Sequence, residues 1–399
     1  MKTASSHVAV MALLTLLNGC SKNEDTPTLP AGAPVVEVTG YMTPFEETTT
    51  PTRGAYEPQI AQIAQAPKRA WQPPTGFGPY SDPDRSISAF FTQTAGEPEG
   101  GFQEEYFFKG SSGKWRVSKT DLAAETYYLY GYVPHETYLD SKVEAPEGKT
   151  FEDGAVLTIG NLNTISDADV CVVVGAKNGI DDYREAADYT VTGLTRGTFD
   201  YAARTTGESG TGGNRVYLLF DHLYAGLNFR IRLDGDYAKL RKIRLKELHL
   251  QMGNESGLTK KKTTATVTLN RTSDGTDPIS SITYAPTAGS DDEAADGLMF
   301  KSETGQLLQT SFDSTYSCYI MPQGTTLLKL TSVYDVYDRY DNLTRENVKT
   351  TNNFLVSDLL SGVGEAERGK RLTINLTVQP TFLYMLSEQD LDSPTMIRE

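Results

Sequence analysis

The residue types that usually carry out catalysis are few in this sequence and stand far apart. Of its four histidines, His7 lies in an N-terminal apolar segment, while His135, His222 and His249 are widely separated. No His-Glu-x-x-His, Cys-x-x-Cys or Gly-x-Ser-x-Gly pattern occurs, and these spacings hold zinc ligands, thiol pairs or a nucleophilic serine in place. We therefore predict no catalytic residue, no cofactor and no enzymatic activity. Two carboxylates distant in sequence suffice to hydrolyse a glycoside, so an extracellular hydrolase is kept as the least favoured alternative.

A short acidic segment is the other candidate for chemistry. Asp291, Asp292, Glu293 and Asp296 offer the oxygen atoms that calcium prefers as ligands. Their spacing does not match the calcium-binding loop of helix–loop–helix proteins, so we interpret them as a solvated loop. We predict no metal site.

Cys20 is the residue whose surroundings predict a covalent modification. It ends the segment Leu-Asn-Gly-Cys after the apolar run 8–17, which is too short to span a bilayer as a helix. A cysteine in this position resembles the lipobox of exported lipoproteins, and the polar residues 21–25 resemble the surface-export signal of Bacteroidetes lipoproteins. We predict that residues 1–19 are a signal peptide and that lipid chains on Cys20 anchor the precursor in the outer membrane. A secretory peptide with an incidental cysteine is the alternative.

Length and composition predict a large, acidic, folded protein. The chain has 399 residues, of which 38% are hydrophobic and 22% charged, enough for two ordinary domains or one large one, with a folded core. A formal net charge of −15 argues against nucleic acid or anionic lipid as the main partner, because like charges repel. Cys171 and Cys318 both lie in apolar runs. We predict that they are buried free thiols, with a disulfide as the alternative.

Short strand-like runs follow one another along the chain, and helical periodicity is scarce. The runs are rich in β-branched and aromatic residues and are separated by Gly, Pro, Asn and Asp. Their spacing predicts an all-β fold of two antiparallel β-sandwiches in tandem. We place a tether at 20–34, an N-terminal domain at 35–210 and a C-terminal domain at 211–399. The predicted strands are 35–38, 86–91, 105–108, 114–117, 127–133, 155–159, 170–174, 216–220, 227–231, 243–245, 248–250, 264–269, 281–284, 316–321, 327–331 and 372–378.

Residues 218–231 carry a motif that resembles a known family. They match the Phe-x-His-x-x-Ala-x-Leu-x-Phe-x-Ile stretch of the Bacteroidales fimbrillin family, the pilin subunits of type V fimbriae. Segments within 114–134 and 371–378 also resemble this family, and the three occur in the family's order. We interpret His222, within the motif, as a structural histidine whose ring nitrogen satisfies a buried backbone group.

The resemblance implies two transthyretin-like sandwich domains and an assembly route. In this family an arginine-specific protease removes the lipid and the first strand, and a strand of another subunit fills the groove left behind. The candidate first strand here is 35–42, followed by a predicted loop at 45–52 and then by Arg53, the favoured cleavage site. Arg69 is the second candidate site. Exposure of either arginine without cleavage is the alternative.

The C-terminal residues 380–399 are the candidate donor strand. Pro380 is expected to interrupt pairing after the last predicted strand. Phe382, Tyr384 and Leu386 then alternate along an extended segment and would act as anchors in a neighbour's groove. A final strand packed in its own domain is an equally favoured alternative.

These features together predict a structural subunit of cell-surface fimbriae that supports adhesion. Its expected partners are other fimbrial subunits, an arginine-specific protease and, before processing, the lipid of the outer membrane. The alternative is a surface glycan-binding lipoprotein, in which tyrosines and Trp71 or Trp115 stack on sugars.

Overall fold

The regular structure of the chain is almost entirely β. The computed structural model describes residues 36–42, 45–49, 86–94, 96–109, 115–123, 125–178, 195–203, 214–289, 293–322, 324–359, 365–383 and 388–398. Within these ranges the helical elements are a single turn of α-helix, α1 (Val356–Leu359), and a 3-10 turn at Tyr237–Lys239. The all-β prediction is confirmed. None of the helices in the described ranges is long and apolar enough to cross a membrane.

Strands follow one another from the N-terminal to the C-terminal end of the described chain. The first twelve are β1 (Val36–Met42), β2 (Glu46–Thr49), β3 (Ser86–Thr92), β4 (Glu105–Lys109), β5 (Trp115–Val117), β6 (Thr126–His135), β7 (Asp140–Glu144), β8 (Gly154–Asn163), β9 (Ile165–Ser166), β10 (Cys171–Asn178), β11 (Asp200–Ala202) and β12 (Asn214–His222). The others are β13 (Ala225–Leu233), β14 (Arg241–Asn254), β15 (Gly257–Leu258), β16 (Lys262–Asn270), β17 (Ile279–Pro286), β18 (Gly297–Leu307), β19 (Ser314–Ile320), β20 (Leu327–Asp338), β21 (Leu343–Leu355), β22 (Lys370–Leu383) and β23 (Glu388–Arg398).

The described strands form four sheets. Sheet A has the order β1-β12-β10-β6-β3-β4-β5, with β11 also paired to β6, and sheet C has the order β17-β16-β8-β7. Sheet B has the order β2-β22-β13-β19-β9, with β23 also on β22, and sheet D has the order β15-β14-β20-β21, with β18 on β14. Most ladders are antiparallel, as predicted. Among the described strands, β1–β12, β2–β22 and β13–β22 are parallel.

Strands from both sides of the predicted domain boundary pair within the same sheets. Strand β12 follows residue 211 but pairs with β10, and β16 and β17 form sheet C together with β7 and β8. The division at 210/211 therefore does not coincide with a division between sheets, and the tandem domain assignment stays a prediction.

The core is built by alternating side chains, as the strand period of two requires. In β16 the side chains of Thr263, Ala265, Val267 and Leu269 are buried and those between them are half-buried. Buried apolar residues from all four sheets form one continuous cluster. Cys171 and Cys318 are buried free thiols, as predicted.

Strands β6 and β3 approach each other more closely than side chains normally allow. A Cβ atom built on Gly131 of β6 would lie 2.1 Å from the carbonyl oxygen of Ser88 in β3. Glycine is therefore required at this position by the close approach of a neighbouring backbone.

Candidate strand-exchange site

Two short strands near the N-terminal end lie on the edges of two different sheets. Strand β1 pairs in parallel with β12 along its whole length and closes one edge of sheet A. The side chain of Val36 is 1% exposed, Val38 packs against the core, and Gly40 is buried. These three residues lie on one face, the alternation expected for the predicted first strand.

Strand β2 closes an edge of sheet B. It pairs in parallel with the first four residues of β22. The prediction of a loop at 45–52 was therefore wrong for the residues of β2. Two glutamates and two threonines give this strand no apolar pattern, and its order comes from main-chain pairing with β22. An ion pair between Glu47 Oε1 and Arg371 Nη1, 3.1 Å apart, adds to it at the surface.

Phe45 lies between β1 and β2 and contacts residues of both sheets. Its ring stacks on that of His222 at the end of β12, with 3.8 Å between ring centroids. On the other side, the ring of Tyr319 in β19 lies 5.9 Å away, and the guanidinium carbon of Arg371 in β22 lies 4.6 Å from the Phe45 centroid. We call β1, Phe45 and β2 together the leading segment. Phe45 fixes this segment where sheets A and B meet.

The C-terminal strand shares an edge of β22 with β2. Strand β23 pairs antiparallel with β22 over residues 376–383, whereas β2 covers residues 370–373 of the same edge. Strand β13 occupies the opposite edge. The side chain of Met396 is buried beneath β23, and Thr395 donates a hydrogen bond to Asn352 Oδ1 in β21 at 3.1 Å. In this structure the tail is thus a strand packed within its own chain.

Pro380 does not end the preceding strand as the sequence had suggested. Strand β22 continues through it to Leu383, so that expectation was wrong. The reason is positional: the pairing of β22 with β13 ends at Val378, and Pro380 falls where the β22–β23 ladder shifts register. A proline at a ladder irregularity loses no central hydrogen bond.

Several predicted site residues lie outside the described residues. These are the lipidation candidate Cys20, both cleavage candidates Arg53 and Arg69, and the donor anchors Tyr384 and Leu386. The third donor anchor, Phe382, belongs to β22, where it pairs with Gln389 of β23.

A buried polar cluster lies directly beneath Phe45. Asp169, Cys171 and His222 are 3%, 0% and 1% exposed, respectively. Asp169 Oδ2 lies 2.5 Å from His222 Nδ1, and the thiol of Cys171 donates a hydrogen bond to the same oxygen at 3.3 Å. His222 Nδ1 thus bonds a carboxylate, where the sequence interpretation had named a backbone group. Sequence reasoning did not connect these residues, because only the cross-strand register of β10 and β12 pairs Cys171 with His222.

The geometry of this cluster does not suit a thiol nucleophile. The Cys171 sulfur and the Asp169 carboxylate both approach Nδ1 of His222, at 3.6 and 2.5 Å, whereas a catalytic triad uses opposite ring nitrogens for nucleophile and carboxylate. Burial, and next the neighbouring Asp169 carboxylate, raise the pKa of Cys171 well above its usual value. A thiolate is the reactive form of cysteine, so burial disfavours reaction of this thiol as a nucleophile.

Asp221, next to His222, is the centre of an ion-pair network. Its Oδ2 accepts hydrogen bonds from Arg196 at 2.9 Å and from Arg368 at 2.8 Å, and both guanidinium groups also bind Asp277. Burial raises the pKa of Asp221, but the two guanidinium groups outweigh it and hold that pKa below its usual range. The network joins β12 of sheet A to the residues that precede β22 of sheet B. It borders an open cleft of about 960 Å³ that is also lined by Tyr284.

A second polar cluster surrounds Glu104, which immediately precedes β4 of sheet A. Its carboxylate accepts hydrogen bonds from Ser88, Ser141 and Tyr132, and lies 3.1 Å from His135 Nδ1. Burial raises the pKa of Glu104, but hydrogen bonds from His135, Ser141 and Ser88 outweigh it, so the pKa is lowered. These hydrogen bonds all end on the Glu104 carboxylate, which is typical of a polar network that stabilises the fold.

Comparisons with known proteins found likenesses among solved structures. No family model matches the chain, and no curated protein matches it. A fimbrial protein from Bacteroides vulgatus is 14% identical with a TM-score of 0.35, and the match covers 80% of this chain and 92% of that one. A candidate cell adhesion protein from Bacteroides uniformis is 10% identical with a TM-score of 0.36, covering 79% and 90%. The fimbrial anchor protein Mfa2 from Porphyromonas gingivalis is 9% identical with a TM-score of 0.25, covering 79% and 86%.

Proposed function

We propose that this protein is a structural subunit of cell-surface fimbriae, exported as a lipoprotein precursor and polymerised by donor-strand exchange after proteolysis. The observation that carries the proposal is the position of the leading segment. Its two strands cover the edges of two sheets, and both lie just ahead of the favoured cleavage site in sequence. A single cut after Arg53 would separate both strands covalently from the rest of the chain.

Loss of the leading segment would leave two sheet edges incomplete. Main-chain groups of β12 and of the start of β22 would lose their partners, and the space filled by Val36 would open to water. An unpaired edge is a template for another strand, and burying a valine side chain contributes about 1.5–3 kcal/mol. A strand from a second subunit would restore both the pairing and the burial.

The tail is the proposed donor. Strand β23 makes pairs with β22 alone among the described strands, so its release breaks one ladder. The segment 380–399 would then extend to a neighbouring subunit. Other fimbrial subunits, of this or a different kind, are the proposed partners, and adhesion is the activity that the polymer would support.

Cleavage of the purified full-length chain by an arginine-specific endoproteinase tests the proposal. We expect a new N-terminus at Gly54, or at Ala70 if Arg69 is cut, followed by oligomers detectable by light scattering and electron microscopy. The matched controls are Arg53→Lys and Arg69→Lys, which keep the charge but remove the cleavage site. An excess of a peptide with the sequence of residues 380–399 should compete with the tail and reduce oligomer length.

Two results would contradict strand exchange. The cleaved protein could remain monomeric, or it could form oligomers whose length the peptide does not change. If the cleaved monomer is instead retarded in a polysaccharide affinity gel, the glycan-binding alternative replaces the proposal.

A further inference from the structure

We infer that Asp169, Cys171 and His222 form a binding site for one transition-metal cation of the zinc class, independently of the proposed fimbrial role. The three side chains each offer one ligand atom, and these atoms lie within 4.8 Å of one another. Thiolate, imidazole and carboxylate are the three ligand types that zinc accepts in proteins. All three side chains are at least nine-tenths buried.

An unsatisfied oxygen of Asp169 points independently to a missing partner. Its Oδ1 is buried and has no hydrogen-bond partner among the residues that the structure describes. A buried carboxylate oxygen without a partner destabilises the fold, and more so when it is charged. A cation bound by the Asp169 carboxylate would give this oxygen the positive partner that it lacks.

The distances suit a tetrahedral ion. Cys171 Sγ lies 3.3 Å from Asp169 Oδ2 and 3.6 Å from His222 Nδ1. Bond lengths of about 2.0–2.3 Å to zinc place tetrahedral ligand atoms roughly 3.3–3.6 Å apart. The contact of 2.5 Å between Asp169 Oδ2 and His222 Nδ1 is shorter. It would widen by rotation of the carboxylate, whose Oδ1 has no hydrogen bond to lose in the described structure.

The summed charge of the three ligands also favours a divalent ion at this buried site. Binding would release the thiol proton of Cys171. One thiolate, one carboxylate and one neutral imidazole would then balance the two positive charges. A neutral assembly is what a buried site tolerates, because an uncompensated charge in the interior is costly.

The surrounding structure holds two of the ligands in place. Cys171 and His222 are directly opposite each other in the β10–β12 ladder, so their backbone separation is fixed. The stacked ring of Phe45 fixes the plane of the imidazole and covers it. The fourth position of the ion would be filled by water or by Asp169 Oδ1.

The test uses the full-length, metal-free protein with zinc or cobalt(II) as the probe. We expect one zinc ion per chain in equilibrium dialysis, a rise in Tm with zinc, and a cobalt–thiolate charge-transfer band. Cys171→Ser should lose the band and the zinc-dependent rise in Tm. The matched control is Cys318→Ser, which removes the other buried thiol and should leave both unchanged.

A second control excludes binding at the protein surface. His249 lies 3.3 Å from Glu247 and 3.4 Å from Asp296, and His249→Ala should not change the stoichiometry. X-ray absorption of the zinc-loaded wild type should show one sulfur ligand, which decides the question even if Cys171→Ser does not fold. Absence of stoichiometric zinc, a zinc shell without sulfur, or loss of binding in His249→Ala would each overturn the inference.

Discussion

Replacing Phe45 with alanine is the most direct way to weaken the docking of the leading segment. The half-buried ring stacks on His222 at 3.8 Å and lies 4.6 Å from the guanidinium of Arg371. An aromatic pair contributes about 0.5–1.5 kcal/mol beyond burial, and a partly exposed cation–π contact contributes about 0.5–1 kcal/mol. Half of the burial free energy of a phenylalanine side chain adds about 1 kcal/mol. The segment should therefore dock more weakly by about 3 kcal/mol.

Hydrogen exchange measured by mass spectrometry reports this change directly. Each 1.4 kcal/mol is a factor of ten in an equilibrium, so the detached population should rise roughly 100-fold. Peptides covering β1 and β2 should exchange faster by about that factor if they open locally. Peptides covering β14 and β20 in sheet D should keep their wild-type rates, because the ring contacts of Phe45 are with residues of sheets A and B.

Phe312→Ala is the matched control. Phe312 is also half-buried, and the guanidinium carbons of Arg230 and Arg232 lie 5.2 and 4.7 Å from its ring centroid. The substitution Phe312→Ala removes the same side-chain atoms as Phe45→Ala, but at a position outside the leading segment. Hydrogen exchange in β1 and β2 should therefore stay unchanged. The reasoning is refuted if Phe45→Ala alters exchange in these strands by less than threefold, or if Phe312→Ala accelerates it equally.

Two further substitutions test the packing and the ion pairs of the scaffold. Gly131→Ala should lower the free energy of unfolding, measured in urea, by about 3 kcal/mol or more, because the new methyl group would clash with the Ser88 carbonyl. In the control Gly235→Ala the new methyl group meets no atom within 4 Å, so the free energy of unfolding should change by less than about 1 kcal/mol. Asp221→Asn should lower the free energy of unfolding by about 2 kcal/mol at pH 7. This loss is smaller than that expected for removing one partner of a buried ion pair, because both arginines keep their ion pairs with Asp277. Since the pKa of Asp221 is lowered in the folded protein, its stabilisation is present above its unfolded pKa and is lost as the pH falls through the folded pKa. The two stability curves should therefore converge below about pH 4, and a constant gap would contradict this origin.

The sequence predicted the inner strands well because their side chains reveal them. The runs at 127–133 and 372–378 correspond to β6 and β22, whose residues are mostly buried. A strand buried on both faces must be apolar almost throughout, and one buried on a single face must alternate. Either pattern is visible without coordinates.

Polar strands were harder to predict, for the opposite reason: β2 and β21 were not predicted, and β23 was only one of two equally favoured interpretations of the tail. Strands β2, β21 and β23 carry mainly polar and charged residues, and β21 is largely exposed. Main-chain pairing with an inner strand determines their structure, and no side-chain pattern records it. The cluster of Asp169, Cys171 and His222 was missed similarly, since it depends on register between strands about 50 residues apart.

The shared edge of β22 places a further condition on strand exchange. Cutting after Arg53 would free only the part of the edge covered by β2, because β23 covers residues 376–383 independently. A neighbour's strand can therefore pair along the whole edge only after the tail has also left. Departure of the tail requires exposure of Met396, which costs about 1.5–3 kcal/mol. Departure of the tail would therefore both open the rest of the acceptor edge and make the tail available as a donor, so a cleaved subunit would gain these two capacities together when its tail leaves.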